Sequence, residues 1–543
     1  MTANTPPSKA TAREWIGLSV LALACLLYVM DLTVLHLAVP ALSADLQPTS
    51  AQLLWIIDIY GFLVAGSLIT MGTLGDRIGR RKLLMIGAGA FGAVSVMAAF
   101  SVNAEMLIVA RALLGIAGAT LAPSTLSLIF HMFADEKERR IAIGVWIGSF
   151  SAGSAVGPVL GGIMLELFWW GSVFLLALPV MAALLILGPR VLPEYRDPDA
   201  GRLDLPSAGL SVAALLAVIY GLKELAVAGV SAASVLPILA GVAIGILFVR
   251  RQRRLADPMI DVSLFRIPTF NAALATNFLS IFVMVGYFLF VAQYLQLVVG
   301  LSPLEAGLWS LPSAVAFVVG SQLTPRLVGF LRPAHLIGGG LLVAAAGLLM
   351  LVQVGAVNGL AMLIAASVVI SIGMAPVFGL TTELVVGSAP PERAGAASGI
   401  SETGAELGGA LGIAILGSIG VAVYRGSLGD WLATAIPVDA LAAARDTLGG
   451  AVAVSAELPY ATGAALLAAA REAFVAGMHL TAVIAAVVAA GLALMALFVL
   501  RSHDMPSSSE DHEEGEEELP SSRLTSPPEQ VAHIAPSQLE AAD

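Results

Sequence analysis

Five ionisable side chains stand where a charge is costly to keep: Asp31, Asp58, Arg111, Glu402 and Glu406 all fall inside long apolar runs. At the centre of a bilayer each such charge costs about 3 kcal/mol on insertion scales, so it needs a partner or a task. Asp31 sits mid-run in Tyr28-Val29-Met30-Asp31-Leu32-Thr33-Val34. Burial and a neighbouring charge together decide where a carboxyl titrates. One that titrates in the physiological range can take a proton on one side of a membrane and give it up on the other. Arg111, in Ala110-Arg111-Ala112-Leu113-Leu114-Gly115, is the one basic residue well inside its run and the natural countercharge for Asp31. The two are read either as a proton-coupling pair or as a static ion pair that welds the first and fourth runs together.

The other acids have competing readings of the same kind. Asp58, in Trp55-Ile56-Ile57-Asp58-Ile59-Tyr60, lies one turn into the second run near its outer end, where it can join a proton path or simply snorkel or cap. Glu402 and Glu406 are four residues apart and so share one helix face. Two acids on one face inside a bundle point to a water-filled cavity that draws cations. For Glu402, nine residues after Arg393, snorkelling from the inner end competes with that reading; Glu406 lies one turn deeper. His36 is five residues from Asp31, off its face, and is read as packed or pore-lining. Gly157-Pro158 in the fifth run removes a backbone hydrogen bond and kinks the helix. The surrounding glycines allow close packing, so this is read as a conformational pivot or seal rather than a ligand site.

The elements that must hold these groups follow from composition. The chain has 543 residues, 58% hydrophobic and 12% charged, against roughly 25% charged in globular domains. It is an all-α polytopic membrane protein. The net charge of −11 does not describe an acidic surface seeking a basic partner, since much of it comes from Glu510-Asp511-His512-Glu513-Glu514-Gly515-Glu516-Glu517-Glu518. Such a self-repelling block forms no core, and the tail 501–543 is expected to be disordered and cytoplasmic. The single cysteine, Cys25, excludes an intrachain disulfide and a cysteine-rich metal site. The run after Lys9 and Arg13 is too long for a cleaved signal peptide and is kept as a span.

Fourteen apolar runs can be counted, near 15–40, 52–73, 83–101, 105–130, 141–166, 171–189, 205–224, 232–250, 270–298, 304–325, 335–353, 359–380, 394–424 and 473–500. Lysines and arginines fall in alternate gaps, at 77–82, 137–140, 190–202, 250–266, 326–332 and Arg393. The opposite gaps hold almost none before Arg425, Arg445 and Arg471, with Lys223 the exception. Positive charge marks the cytoplasmic side, so both termini are expected there. The gap 425–472 is the one long external loop; Leu428, Trp431, Leu432 and Leu441 can make short amphipathic helices in it, and it either shapes the outer mouth or merely spaces two spans.

Between the second and third runs stands Leu74-Gly75-Asp76-Arg77-Ile78-Gly79-Arg80-Arg81-Lys82. Glycines at 72, 75 and 79 permit a tight turn and close helix approach, and Asp76 can pair with an arginine to hold two helix ends together. A merely topogenic basic loop would need the positive charge but neither the glycines nor the aspartate. A repeat then emerges: Gly148, Gly153, Gly157 and Gly161 recur as Gly399, Gly404, Gly408 and Gly412, all at one offset of 251 residues. Arg77 faces Arg326 near the same offset. Two six-helix bundles, 15–190 and 270–500, with two inserted helices at 204–250, explain both matches. Parallel halves about an axis along the membrane normal are the major facilitator arrangement.

The energy source is bounded by what is missing. The four lysines, at 9, 82, 137 and 223, never follow a glycine, so there is no Walker A loop, and no zinc motif or Gly-x-Ser-x-Gly elbow occurs. The reading is a secondary transporter, not an enzyme, driven by an ion gradient; a proton suits lone intramembrane carboxylates.

In its motifs the sequence resembles the fourteen-span drug:proton antiporter branch of the major facilitator superfamily (the EmrB/QacA family), and within it the QacA/SmvA type of multidrug exporter. Gly72-x-Leu74-x-Asp76-Arg77-x-Gly79-Arg80-Arg81 is similar to the superfamily's loop motif between spans 2 and 3. Met30 to Pro40 resembles the branch's first-span motif, and Leu54 to Tyr60 its second-span stretch. Arg111 to Gly115, through Pro123, resembles the fourth-span motif linked to proton coupling, and Gly148 to Gly162 the antiporter motif. Asp257 to Phe265 is similar to the branch before span 9. The likeness covers about residues 15–500, leaving only the tail outside it. The resemblance implies a proton-coupled exporter of quaternary ammonium antiseptics, cationic dyes and related lipophilic cations, resident in the cytoplasmic (inner) membrane. Its partners would be those cations, protons and the bilayer, with no nucleic acid, no metal and no cofactor beyond the proton gradient; the chain is read as a monomer.

On that reading Asp31, Arg111 and Asp58 couple protons. Asp31, Glu402 and Glu406 meet the cation, with Tyr28, Trp55, Tyr60 and Phe317 as aromatic faces for it. Gly72, Asp76, Arg77, Gly79, Arg80, Gly157 and Pro158 serve gating, the 72–82 loop latching the two halves. Some relatives that handle divalent cations carry an acid in span 10, where this chain reads Pro312 to Phe317. With Phe317 at the matching position, monovalent cations are expected to be preferred. An exporter of one endogenous metabolite or antibiotic on the same scaffold is the first alternative, and a membrane sensor or scaffold that moves nothing a remote one.

Overall fold

Hydrocarbon offers no partner to a peptide N–H or C=O, so an apolar run that enters it must satisfy its backbone internally, as a helix. The computed structural model describes residues 9–196, 204–255, 258, 260, 262–328, 330–390, 394–428 and 436–500. Among these, all regular structure is helical. The acidic tail, Trp431, Leu432, Arg393, Asp257 and Asp261 lie outside the described residues.

The first half runs α1 (Ala12–Leu46), α2 (Ser50–Ile78), α3 (Arg80–Ala99), α4 (Ala104–Gly118), α5 (Leu121–Met132), α6 (Glu136–Leu167), α7 (Ser172–Leu175) and α8 (Ala177–Val191). A hairpin follows, α9 (Leu205–Ala228) and α10 (Ala232–Gln252). The second half is α11 (Pro268–Gln293), which widens into a π turn at Tyr294–Val298, then α12 (Pro303–Val328), α13 (Pro333–Leu351), α14 (Leu360–Gly387) and α15 (Ala394–Ser427). It ends with α16 (Val438–Asp446), α17 (Leu448–Glu457) and α18 (Tyr460–Val499). Thirteen stretches of the described residues are helical, long and apolar enough to cross a bilayer, α4 and α5 counting as one; α6 adds two shorter apolar stretches, Ile141–Phe150 and Val156–Leu167. Polar side chains start many of these helices: Thr11, Thr49, Asn103, Asp135, Asp204 and Ser231 each accept a bond from a first-turn N–H.

Three sequence expectations shift. The fourth run is not one helix but breaks at Ala119 and Thr120. The last helix begins at Tyr460 rather than near 473, so much of the expected loop 425–472 is helix. Lys223 does not lie in a gap: it is inside α9, with its side chain 1% exposed.

The repeat is visible in packing. Gly153, Gly157 and Gly161 of α6 bring its backbone against α1 at Leu26, Met30 and Val34. Gly404, Gly408 and Gly412 of α15 press α11 in the same way at Leu274, Phe278 and Phe282. The partners are themselves offset by a constant 248 residues. A Cβ at Gly153 would lie 2.5 Å from the Leu26 carbonyl, so side chains there would push the helices apart. The outermost pair, Gly148 and Gly399, faces open space in both halves.

Far from the 74–82 turn, α16 and α17 fold over the helix ends. Tyr424 donates to the Ala444 carbonyl at 2.8 Å, Arg425 pairs with Asp446 at 3.1 Å, and Ser50 donates to the Asp446 carbonyl. Gly449 abuts Ser43 at the end of α1. The segment therefore contacts helix ends of both halves instead of merely spacing two spans.

Candidate functional site

Arg111 is carried by α4 at a position that faces inward, and its side chain is fully buried. Its Nη1 donates to Asp31 Oδ2 of α1 at 2.5 Å, and its Nε to the Ile56 carbonyl of α2 at 3.2 Å. The guanidinium also stands 4.5 Å from the centre of the Tyr60 ring and 5.9 Å from that of Phe174. A planar cation on an aromatic face gains from the ring quadrupole, and more so without water. The expected pairing of Asp31 with Arg111 is thus present, and it ties α1, α2 and α4 together. Asp31 is 11% exposed, whereas Arg111 is fully buried. Arg111 Nη2 and the Tyr60 hydroxyl are buried without a hydrogen-bond partner among the described residues.

From this pair a chain of rings leads to the other half. Tyr60 lies 6.2 Å from Tyr28, centre to centre, and Tyr28 lies 6.4 Å from Phe150 of α6. The Tyr28 hydroxyl donates to Glu406 Oε1 of α15 at 2.5 Å. Five of the expected site residues, Asp31, Arg111, Tyr60, Tyr28 and Glu406, therefore form one connected cluster across the two halves. Glu402, one turn from Glu406 on α15, is half-buried. His36 is buried with Nδ1 unpartnered, which fits a packed histidine.

The structure does not bring Asp58 and Trp55 into that cluster. Asp58 is fully buried and receives Lys223 Nζ of α9 at 2.9 Å, while the same ammonium sits 3.7 Å from the centre of the Trp55 ring. Neither snorkelling nor a free cation face describes them: the aromatic face is taken by a lysine of the chain itself. Lys223 is the residue that sequence reasoning left unassigned, and its break in the charge alternation was the available signal. Phe317 of α12 packs on Phe378 of α14 at 5.8 Å, within the second half.

The 72–82 turn makes the expected ion pair between two helix ends. Asp76 binds Arg80 at 2.5 Å, and Gly79 has φ +112°, which an L side chain rarely adopts. Arg80 also donates to the Pro123 carbonyl at 3.3 Å and its N–H to that of Tyr195 at 2.9 Å; Arg81 reaches Glu194 at 3.5 Å. Arg77 is exposed, and Gly72 approaches Pro123. All these partners belong to the first half. In this conformation the turn braces its own bundle, and the expected latch between halves is not made by these bonds.

Contacts between the halves fall instead in the middle of the bundle and towards the end remote from the turn. Gly61 of α2 faces Ala410 of α15, and Gly417 faces Leu54. Gln296 donates to the Leu37 carbonyl at 2.9 Å. Gly307 of α12 abuts the Pro158 carbonyl, and Gly162 faces Pro303 and Leu304, so Gly157-Pro158 sits in a close interface between the halves.

The family profile of the Major Facilitator Superfamily matches residues 21–413. The chain is 45% identical over 484 residues to the multidrug efflux pump LfrA of Mycolicibacterium smegmatis, covering 89% of this chain and 96% of that one. It is 36% identical over 465 residues to the methyl viologen resistance protein SmvA of Salmonella typhimurium, covering 85% and 93%. It is also 31% identical over 507 residues to the tetracenomycin C resistance and export protein of Streptomyces glaucescens, covering 92% and 94%. Among solved structures, a bacterial homologue of the human lysosomal transporter Spinster, inward-facing and unoccupied, superposes with a TM-score of 0.65 at 19% identity, covering 92% of this chain and all of that one.

Proposed function

The chain belongs to the Major Facilitator Superfamily, and from that premise we propose that it is a proton-coupled antiporter exporting lipophilic, mainly monovalent organic cations by alternating access. Counting α6 as a span would give fourteen, and the basic turn supports reading both termini as cytoplasmic in an inner-membrane protein. The names of the relatives, a multidrug efflux pump and a methyl viologen resistance protein, support the substrate class. The observation that carries the reading is the connected cluster from Asp31 and Arg111, through Tyr60 and Tyr28, to Glu406 on the opposite half.

Its electrostatics work in the required direction. When Asp31 is ionised it neutralises Arg111, and Glu406 with Glu402 leaves the cluster attractive to a cation. When Asp31 takes a proton, Arg111 loses its countercharge and the local field turns against the cation, which then leaves. Exchange of one for the other follows from competition for the same field. The tyrosine link lets the state of one half bear on the other. Close contacts at the remote end support reading this conformation as open towards the turn end, the proposed cytoplasmic side. Asp58, locked to Lys223, is left out of the proton path.

Uptake of ethidium and of a quaternary ammonium compound into inverted vesicles under an imposed pH gradient tests this. Gradient-driven uptake by the wild type, abolished by Asp31→Asn at equal expression, is the expected result. Uptake that survives in Asp31→Asn would remove Asp31 from the coupling. The similarity to a tetracenomycin C resistance and export protein favours a second reading, a dedicated exporter of one metabolite or antibiotic. Wild-type vesicles that take up neither cation would point there.

A further inference from the structure

The inserted hairpin has no part in the site above. It is peripheral: 17% of the apolar stretch of α9 and 11% of that of α10 are buried, against 67% for α2. Yet α9 packs on α2 and α15 at once. Phe62 of α2, Ile219 of α9 and Ala410 and Ala414 of α15 form a buried apolar cluster separate from the main core. Because α2 and α15 belong to different halves, α9 lies across the seam between them. Its two contacts differ in kind. On the α15 side this cluster is apolar, Ala410 and Ala414 with Leu407 and Leu411 packed beside them. On the α2 side they include the Lys223–Asp58 pair, 2.9 Å long, with side chains 1% and 0% exposed and the Trp55 ring 3.7 Å beneath the ammonium. Apolar faces can slide past each other with little change in free energy, whereas parting this pair would strand two charges in hydrocarbon.

We propose that Lys223 is a positioning residue that keys the α9–α10 hairpin to α2 through Asp58 and Trp55, so that the hairpin travels with the first half while α15 slides past it, keeping lipid out of the α2–α15 seam. The hairpin can move as one body because its helices interlock: a Cβ on Gly241 would lie 2.6 Å from the Ala214 carbonyl, and Arg251 holds Asp204 at 2.9 Å near the other end. The inference rests on the alternating-access reading, in which the two halves move relative to one another.

Pulsed electron resonance distances on the full chain in nanodiscs test it, in a Cys25→Ala background. Spin labels at Tyr220→Cys of α9 are paired with Ile86→Cys of α3 or with Leu342→Cys of α13, all exposed positions. Between pH 5.5 and pH 8 (about the range over which imidazole titrates), with and without tetraphenylphosphonium, the distance to Leu342→Cys should shift while that to Ile86→Cys stays narrow and fixed. The double variant Lys223→Met with Asp58→Asn leaves no orphan charge, so it is expected to fold. It should widen the Ile86→Cys distribution about twofold and lower the vesicle turnover rate about tenfold, with Lys223→Arg keeping both near wild type. A hairpin that follows Leu342→Cys, or a distribution that stays narrow in the double variant, overturns the proposal. If the Leu342→Cys distance never moves in the wild type, the rocking of the halves fails instead, and the widths still decide the role of Lys223.

Discussion

Tyr28 is the residue on which the coupling between halves turns. Its hydroxyl occupies one oxygen of Glu406, the acid that a cation would also seek. Hydrogen bonds to a charged group contribute about 1.5–3 kcal/mol, so Tyr28→Phe should tighten equilibrium binding of tetraphenylphosphonium roughly tenfold. The same variant should weaken gradient-driven uptake, because Glu406 no longer senses the Asp31–Arg111 pair. Isothermal titration of the purified protein measures the first effect and vesicle uptake the second; unchanged affinity would mean that Tyr28 does not compete for Glu406. At this scale the sequence was informative about which residues matter. Asp31 with Arg111 was legible, since two opposite charges stranded in hydrocarbon have few ways to be stable. Tyr28 with Glu406 was not, because nothing in a one-dimensional pattern says which aromatic ring meets which acid.

The glycine-lined faces of α6 and α15 are the same device used twice. Each lets a second-half or first-half helix lie backbone to backbone on its neighbour, and each partner lies one constant offset along the chain. Overfilling such a contact costs about 1–3 kcal/mol, so Gly157→Ala and Gly408→Ala should each lower thermal stability in detergent. Gly148→Ala and Gly399→Ala, which meet nothing within 4 Å, should not lower it and should raise it slightly, because alanine is the better helix former. If all four behave alike, the close approach is not what holds these helices. The repeat was legible because glycine spacing survives in sequence. That the outermost pair is idle in both halves was not, since spacing alone does not say where a helix leaves its neighbour. The turn at 72–82 teaches a similar lesson: its charges predicted an ion pair, and only packing showed that the pair serves its own bundle.

For the whole molecule, the described helices of 9–500 contain every element of the proposed cycle. Truncation after residue 502 should therefore leave uptake of ethidium within about twofold of wild type, a change of under 0.5 kcal/mol in barrier. Loss of function on truncation, with Asp31→Asn silent, would instead favour a sensor or scaffold that moves nothing. At the remote end α16 and α17 pack on the ends of both halves, through Tyr424, Arg425, Ser50 and Gly449. The sequence showed a long, partly amphipathic gap there; which surfaces it would cover was open.

What the sequence by itself determined is the one-dimensional part: where the chain can enter hydrocarbon, which charges are out of place in it, and that one half repeats the other. Each of these follows from a local penalty, the cost of an unpaired peptide group or an ion in an apolar run, and local penalties are written in the order of residues. Beyond the Asp31–Arg111 pair, tertiary structure alone decided which side chains meet: Lys223 finds Asp58 across 165 residues, and Tyr28 finds Glu406 across 378. These pairings depend on how the helices are rotated and ordered about one another, and that is set by the summed packing of many small and apolar side chains rather than by any short stretch of sequence.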